Sequence, residues 1–232
     1  LNLADIVSPR HVILGGAIGA AFANGLLDVA SGATFGILLR FATGFFLAGV
    51  YPPAMKMIST WFKEARGLAI GTVVGALTVG KATPYLLKAL PEISLEAVVA
   101  GASLAGVVGA VVVLLAYRDG PFPFLRKPFS WGLVGRVLRH RKTRLAIFGY
   151  LGHMWELYAM WTWVPAFLLA SAAAARAGGA GGPSPGTASL VGFGAIAAGG
   201  LGCVWGGWAA DRMGRDSLVN LAMGVSGACC LV

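Results

Sequence analysis

The chain has 232 residues, of which 57% are hydrophobic, only 12% are charged and 35 are glycine. Because a soluble domain carries about a quarter charged residues, this composition excludes an ordinary soluble globular protein. The formal net charge of +9 does not indicate a nucleic-acid partner, because the basic residues are concentrated in particular connections between apolar runs.

Six long apolar runs follow one another along the chain, and a seventh begins near Ser217. A bilayer core of about 30 Å needs roughly 20 apolar residues per helix. The run lengths and the lack of period-2 alternation favour helices over a membrane barrel. We therefore predict an all-α, polytopic membrane helical bundle with complete spans near residues 12–30, 34–61, 67–87, 95–117, 145–172 and 189–210.

Three segments between or within these spans have a composition that predicts local structure. Pro52 and Pro53 should kink the second span, because proline cannot continue the helical hydrogen-bond pattern. Residues 173–186 are rich in alanine, glycine and proline, which predicts a flexible external linker. In the central connection, Trp131, Val134 and Leu138 recur at helical spacing. This predicts either an amphipathic helix on the membrane surface or a solvated basic linker.

The distribution of basic residues predicts the orientation of the bundle. Most of the 18 Lys and Arg residues lie in alternate connections, whereas the opposite connections hold only Lys88 and Arg176. Connections rich in Lys and Arg face the cytoplasm. We therefore expect the first loop, the Lys63 loop, the central connection and the Arg212 loop to be cytoplasmic, and the lipid bilayer to be a bacterial inner membrane.

A motif of glycine and charge occurs between two apolar runs near the end of the chain, and a weaker copy opens the chain. The complete motif consists of Gly207, Asp211, Arg212, Gly214 and Arg215, and the copy retains Asp5 and Arg10. If the two loops are equivalent, each half of the protein has two helices before its motif and four after it. This predicts one half at 1–117 with helices three to six, a central loop at 118–143, and a second half at 144–232 with helices seven to nine.

The pattern Gly-x-x-x-Asp-Arg-x-Gly-Arg from Gly207 to Arg215 resembles the loop motif of the major facilitator superfamily. Arg40 and Gly44 resemble that family's fourth-helix motif, and the segment around Arg66 resembles its connection between the fourth and fifth helices. The resemblance implies a partial twelve-helix fold in which two halves alternate in access, and in which Arg40 faces the transport path. It also implies that Asp211 pairs with a basic residue or a helix N-terminus of the other half.

Three ionisable residues fall near the middle of predicted spans, namely Arg40, Lys81 and Glu156. Charges inside the membrane are costly and usually mark a transport path or an ion pair. We hypothesise that Arg40 and Glu156 face a shared central cavity and form or exchange a charge pair. Alternatively, Arg40 and Glu156 each have a permanent partner on a neighbouring helix. Lys81 can instead extend its amine to the membrane surface.

Three residues near Glu156 complete the candidate path. His153 precedes Glu156 by three positions and shares its helix face. We interpret it as a proton relay, as half of a metal pair or as a buried histidine that hydrogen-bonds to a neighbour. Tyr158 and Trp161 are candidate walls of a solute site, with an interfacial aromatic belt as the alternative. The order of His153 and Glu156 does not match a zinc-protease motif, and we predict neither a metal nor a cofactor.

These observations predict a secondary transporter of a small solute rather than an enzyme. The candidate path holds two basic residues, Arg40 and Lys81, and one acidic residue, Glu156. This excess of positive charge favours an anionic or zwitterionic solute. Since no nucleotide-binding loop is present, energy would come from an ion gradient, such as protons, or from the solute's own gradient. The alternative is a membrane sensor that has the same fold and does not transport. We further expect that these 232 residues do not transport alone, because the pattern implies helices that they lack.

Overall fold

The computed structural model describes residues 7–90, 93–122, 131–179 and 181–231. Throughout these ranges the secondary structure is helical, which confirms the predicted all-α class. A 3₁₀ turn at Leu26–Val29 extends the first helix. The α-helices are α1 Pro9–Gly25, α2 Ala33–Leu47, α3 Tyr51–Ser59, α4 Arg66–Ala89, α5 Leu95–Ala116, α6 Trp131–Arg139, α7 Arg141–Ala177, α8 Pro185–Met213 and α9 Arg215–Cys229.

Within the described ranges, six helical segments are long and apolar enough to cross a membrane, in agreement with the six predicted spans. Large apolar side chains point outward from them, as in Phe41, Leu104 and Leu201, which are 74%, 65% and 77% exposed. Such side chains suit a lipid environment, where apolar surface has no reason to be buried within the protein. The segments are Pro9–Val29, Ala33–Ser59, Arg66–Ala89, Leu95–Ala116, Arg141–Ala177 and Pro185–Met213.

The second span is broken where the sequence places two adjacent prolines. Helix α2 ends at Leu47, and α3 begins at Tyr51 with prolines in its first turn. Proline is tolerated there because the amides of the first turn have no intrahelical acceptor. The helix is thus interrupted by turn residues 48–50 just before the prolines, and α1 approaches this interruption closely at Gly16, where an added Cβ would lie 2.8 Å from the carbonyl oxygen of Phe46.

The predicted linker at 173–186 is partly wrong, because α7 continues to Ala177. Residues 172–175 are all alanine, the residue with the highest helix propensity, so the helix has no reason to stop at 173. Helix α8 then begins at Pro185, where Ser184 Oγ accepts a hydrogen bond of 3.1 Å from Thr187 N. The connection between α7 and α8 is therefore limited to 178–184.

Packing divides these helices into a first group, α1 to α5, and a second group, α7 to α9, and α4 of the first group makes the contact with the second. Helix α1 packs on α5 and α2, whereas α7 packs on α8. The most extensive contact in the described structure joins α4 to α8. A small apolar core lies within the first group and includes Ile13, Met57 and Ala110.

A set of hydrogen bonds fastens the start of the central connection to the end of α3. Thr60 Oγ1 accepts from Gly120 N at 3.1 Å, and Thr60 O accepts from Phe122 N at 2.9 Å. Trp61 Nε1 donates to Arg118 O at 3.0 Å. A Cβ added at Gly120 would collide with the carbonyl of Thr60, so this close approach depends on glycine.

Replacing Gly120 with alanine should therefore destabilise the protein. We expect Gly120→Ala to lower the free energy of unfolding by about 1–3 kcal/mol, because the carbonyl of Thr60 is held by backbone and cannot move aside cheaply. The control is Gly109→Ala in α5, where an added Cβ has nothing within 4 Å and helix propensity favours alanine. Thermal unfolding of both variants in one detergent measures the difference, and equal stability of the two would contradict the prediction.

Candidate functional site

Helices α4 and α8 meet backbone to backbone along a row of small residues. A Cβ added at Gly67 would lie 2.5 Å from the carbonyl oxygen of Gly207, and one added at Gly75 would lie 2.6 Å from that of Gly200. Small residues repeated every three or four positions on facing helices allow this close approach. The row consists of Gly67, Gly71 and Gly75 on α4 with Gly200, Cys203 and Gly207 on α8.

At one end of this row the carboxylate of Asp211 caps the N-terminus of α4. Asp211 Oδ1 accepts from Gly67 N at 2.9 Å, and Oδ2 accepts from Leu68 N at 2.9 Å. Amides in the first turn of a helix lack intrahelical acceptors and carry the positive end of the helix dipole. Of the two partners that the sequence predicts for Asp211, the helix N-terminus is the one observed, and the contact joins residues that are 144 positions apart.

The other residues of the complete motif form the turn that follows α8. Gly214 separates α8 from α9 with a φ of +85°, a conformation that favours glycine. The guanidinium of Arg212 lies 4.0 Å from the centroid of the Trp208 ring, a cation–π contact. Arg215 is the exposed first residue of α9.

The remaining motif residues are dispersed. Arg10 is exposed in the first turn of α1, and Asp5 lies outside the described residues. Gly44 lies in α2 with open space beside its Cα. Arg66 begins α4, and its Nε donates to Phe62 O at 3.1 Å.

Arg40 occupies a polar cluster formed by three helices of the first group. Its Nη1 donates to Asn24 Oδ1 at 3.1 Å, and Asn24 Nδ2 donates to Ser103 Oγ at 3.0 Å and to Val99 O at 3.3 Å. The guanidinium borders a cavity of about 270 Å³. Among the residues that the structure describes, no carboxylate pairs with Arg40, so a positive charge faces the cavity with only neutral partners.

Glu156 belongs to a second cluster, formed by α7 and α9. Its Oε1 accepts a hydrogen bond from Ser226 Oγ, and its Oε2 lies 4.0 Å from His153 Nδ1. The side chains of Glu156 and His153 are 36% and 49% exposed. Since Arg40 and Glu156 each contact other residues, this conformation does not bring them together, and the exchange of a charge pair during transport stays a prediction.

A comparison with protein families shows which family has this fold. The chain matches the family model described as Major Facilitator Superfamily over residues 2–232. The chain belongs to the Major Facilitator Superfamily. Searches of curated proteins and of solved structures gave no match. Members of this superfamily are membrane transporters rather than enzymes, so the helical bundle is that of an integral membrane transporter.

In this transporter three of the predicted path residues do come together, at the junction of α4 and α7. Lys81 Nζ lies 6.0 Å from the centroid of the Tyr158 ring. The rings of Tyr158 and Trp161 make an edge contact with centroids 5.5 Å apart, and Tyr85 Oη donates to Trp161 O at 3.1 Å. The junction therefore combines a cation with aromatic surfaces from both groups of helices.

Sequence reasoning missed the neutral partners of these residues. Asn24, Ser103, Tyr85 and Ser226 all lie within apolar helices, where polar side chains usually hydrogen-bond to a neighbouring helix. Their position in apolar runs was the available signal, but it does not show which helix each one contacts. The partners became apparent only from the packing of the helices.

The Asp211 cap predicts a specific loss of stability. We expect Asp211→Ala to lower the free energy of unfolding by about 1–3 kcal/mol, because two amides of α4 lose charged acceptors. Asp211→Asn should cost less, since its amide oxygen still accepts one hydrogen bond. The matched control is Asp216→Ala, an exposed aspartate in the first turn of α9. Thermal unfolding at low and high salt measures the effect, and a loss no larger than that of the control would contradict it.

Proposed function

We propose that this protein is a secondary transporter of a small anionic or zwitterionic solute that works by alternating access. The observation that carries the proposal is the guanidinium of Arg40, which borders a cavity and bonds to the neutral side chain of Asn24. A cation within a membrane span is costly to maintain. A negatively charged group of the solute would offset that cost, and the guanidinium matches a carboxylate or phosphate in geometry.

Lys81 supports the same solute class from the junction of α4 and α7. Its amine faces the ring of Tyr158 and, among the described residues, makes no ion pair with a carboxylate. The neighbouring rings of Tyr158 and Trp161 can contact the apolar part of an organic solute. A small organic anion, or a zwitterion bound through its anionic group, therefore fits the side chains near the junction of α4 and α7.

Glu156 is the residue that we propose for proton coupling. Its described partners are the hydroxyl of Ser226 and the imidazole of His153, both of which can contact the protonated as well as the ionised carboxyl group. Protonation thus requires no loss of a lysine or arginine partner. We propose that His153, three residues earlier on the same helix and with its Nδ1 4.0 Å from Glu156 Oε2, passes the proton to Glu156.

Alternating access requires the contact between α4 and α8 to open and close. The Asp211 cap stabilises the closed arrangement at one end of this contact. We propose that this end faces the cytoplasm of a bacterial inner membrane, because the helix ends near it carry Arg66, Arg212 and Arg215 and basic residues at the ends of spans favour the cytoplasmic side. Release of Asp211 from the amides of α4 would then accompany opening toward the cytoplasm.

Uptake by the complete transporter in lipid vesicles tests the solute class. We expect uptake from a panel of small carboxylates, phosphates and amino acids, and Arg40→Gln should reduce it by about 100-fold through loss of one charged contact of roughly 2–3 kcal/mol. The control is Arg176→Gln, whose guanidinium bonds to Pro183 O in the connection after α7. Uptake of cations only, or full activity of Arg40→Gln, would contradict the proposal, and no uptake of any solute would favour a sensor.

Proton coupling is tested separately with Glu156→Gln, which keeps an acceptor for Ser226 but cannot titrate. An imposed proton gradient should drive accumulation in the unsubstituted transporter and not in this variant. Exchange of solute across the membrane without a gradient should persist in the variant, because solute binding is assigned to other residues. Gradient-driven accumulation by Glu156→Gln at the original level would show that another group carries the proton.

A further inference from the structure

Helix α6 is a short helix that lies directly before a membrane span. It runs from Trp131 to Arg139 and is followed by α7 at Arg141, and α7 is its main packing partner. His140 separates the two helices with an extended backbone, and its Nδ1 accepts a hydrogen bond of 3.4 Å from Thr143 N. The two helices are therefore distinct, and α6 lies where the chain enters the bilayer.

The residues of α6 are segregated into a basic side and an apolar side. Arg136 and Arg139 are three positions apart, so they share one side of the helix, and both are exposed. Val137 and Leu138 occupy the opposite side, and Leu138 is 52% exposed. A short helix with this division is typical of segments that lie in the plane of a membrane interface.

The charge around α6 is positive and has no nearby acidic counterpart in the sequence. Between Asp119 and Glu156 there is no aspartate or glutamate. The first turn of α7 adds three further exposed basic residues. Together they form what we call the α6 basic patch, which consists of Arg136, Arg139, Arg141, Lys142 and Arg144.

We propose that the α6 basic patch binds the headgroups of anionic phospholipids while the apolar side of α6 enters the boundary of the acyl chains. Arginine fits the phosphate of a lipid headgroup through paired hydrogen bonds, and basic residues beside a span are attracted to an anionic leaflet. The exposed side chain of Leu138 then contacts lipid rather than water. This interaction does not depend on which solute the protein carries.

Hydrogen–deuterium exchange of the complete transporter in lipid nanodiscs tests the proposal. One set of discs contains phosphatidylcholine alone, and the other contains about 30% phosphatidylglycerol as the anionic lipid. We expect the amides of α6 to exchange about tenfold more slowly in the anionic discs, and high salt should reduce the difference. The amides of α8 serve as the internal control, because they should exchange equally in both lipids.

Matched variants assign the effect to charge. Arg136→Glu with Arg139→Glu should abolish the dependence on phosphatidylglycerol, whereas Arg136→Lys with Arg139→Lys should retain most of it. If the amides of α6 in the unsubstituted transporter exchange equally fast in the two kinds of disc, the proposal is overturned. Protection that survives both charge reversals, or that inorganic phosphate produces in phosphatidylcholine discs, would also overturn it.

Discussion

The two carboxylate oxygens of Asp211 accept hydrogen bonds from two amides in the first turn of α4, and the packing of the two groups of helices depends on this contact. A charged acceptor at a helix N-terminus satisfies donors that the helix cannot satisfy itself. The contact sets the position of α4 against α8 at one end, and the glycine row keeps the two backbones close beyond it. Side chains larger than glycine at Gly67 or Gly207 would push Asp211 out of reach of the amides.

The charged groups inside the spans are distributed over separate clusters rather than gathered in one. Arg40 contacts Asn24 in the first group of helices, Glu156 contacts Ser226 in the second, and Lys81 lies near Tyr158 where the groups meet. Each charge has a neutral partner in this conformation. For the charged solute that we propose, this arrangement would mean that no lysine–carboxylate or arginine–carboxylate pair among the described residues of these clusters has to be broken before the solute binds.

Much of the fold could be predicted because its determinants are local in the sequence. The apolar runs predict the spans, and adjacent prolines predict a kink near the point where α2 and α3 are separated. The helical spacing of Trp131, Val134 and Leu138 predicted either a short helix or a solvated linker, and the structure has the helix α6. The resemblance of the motif around Asp211 to that of the family implied a partner at a basic residue or a helix N-terminus, and the N-terminus of α4 is the partner observed. The extension of α7 to Ala177 was missed, since a run rich in alanine and glycine is compatible with both helix and linker.

The partners inside the spans could not be predicted, because they depend on how the helices rotate against one another. Asn24 and Tyr85 each bond to another helix, and the periodicity of a single helix does not identify that neighbour. The measurement that tests the central claim is the distance between spin labels at Glu64, before α4, and Met213, at the end of α8. We predict a short distance that lengthens in Asp211→Ala and with transported solute, and one unchanged distance throughout would contradict the account.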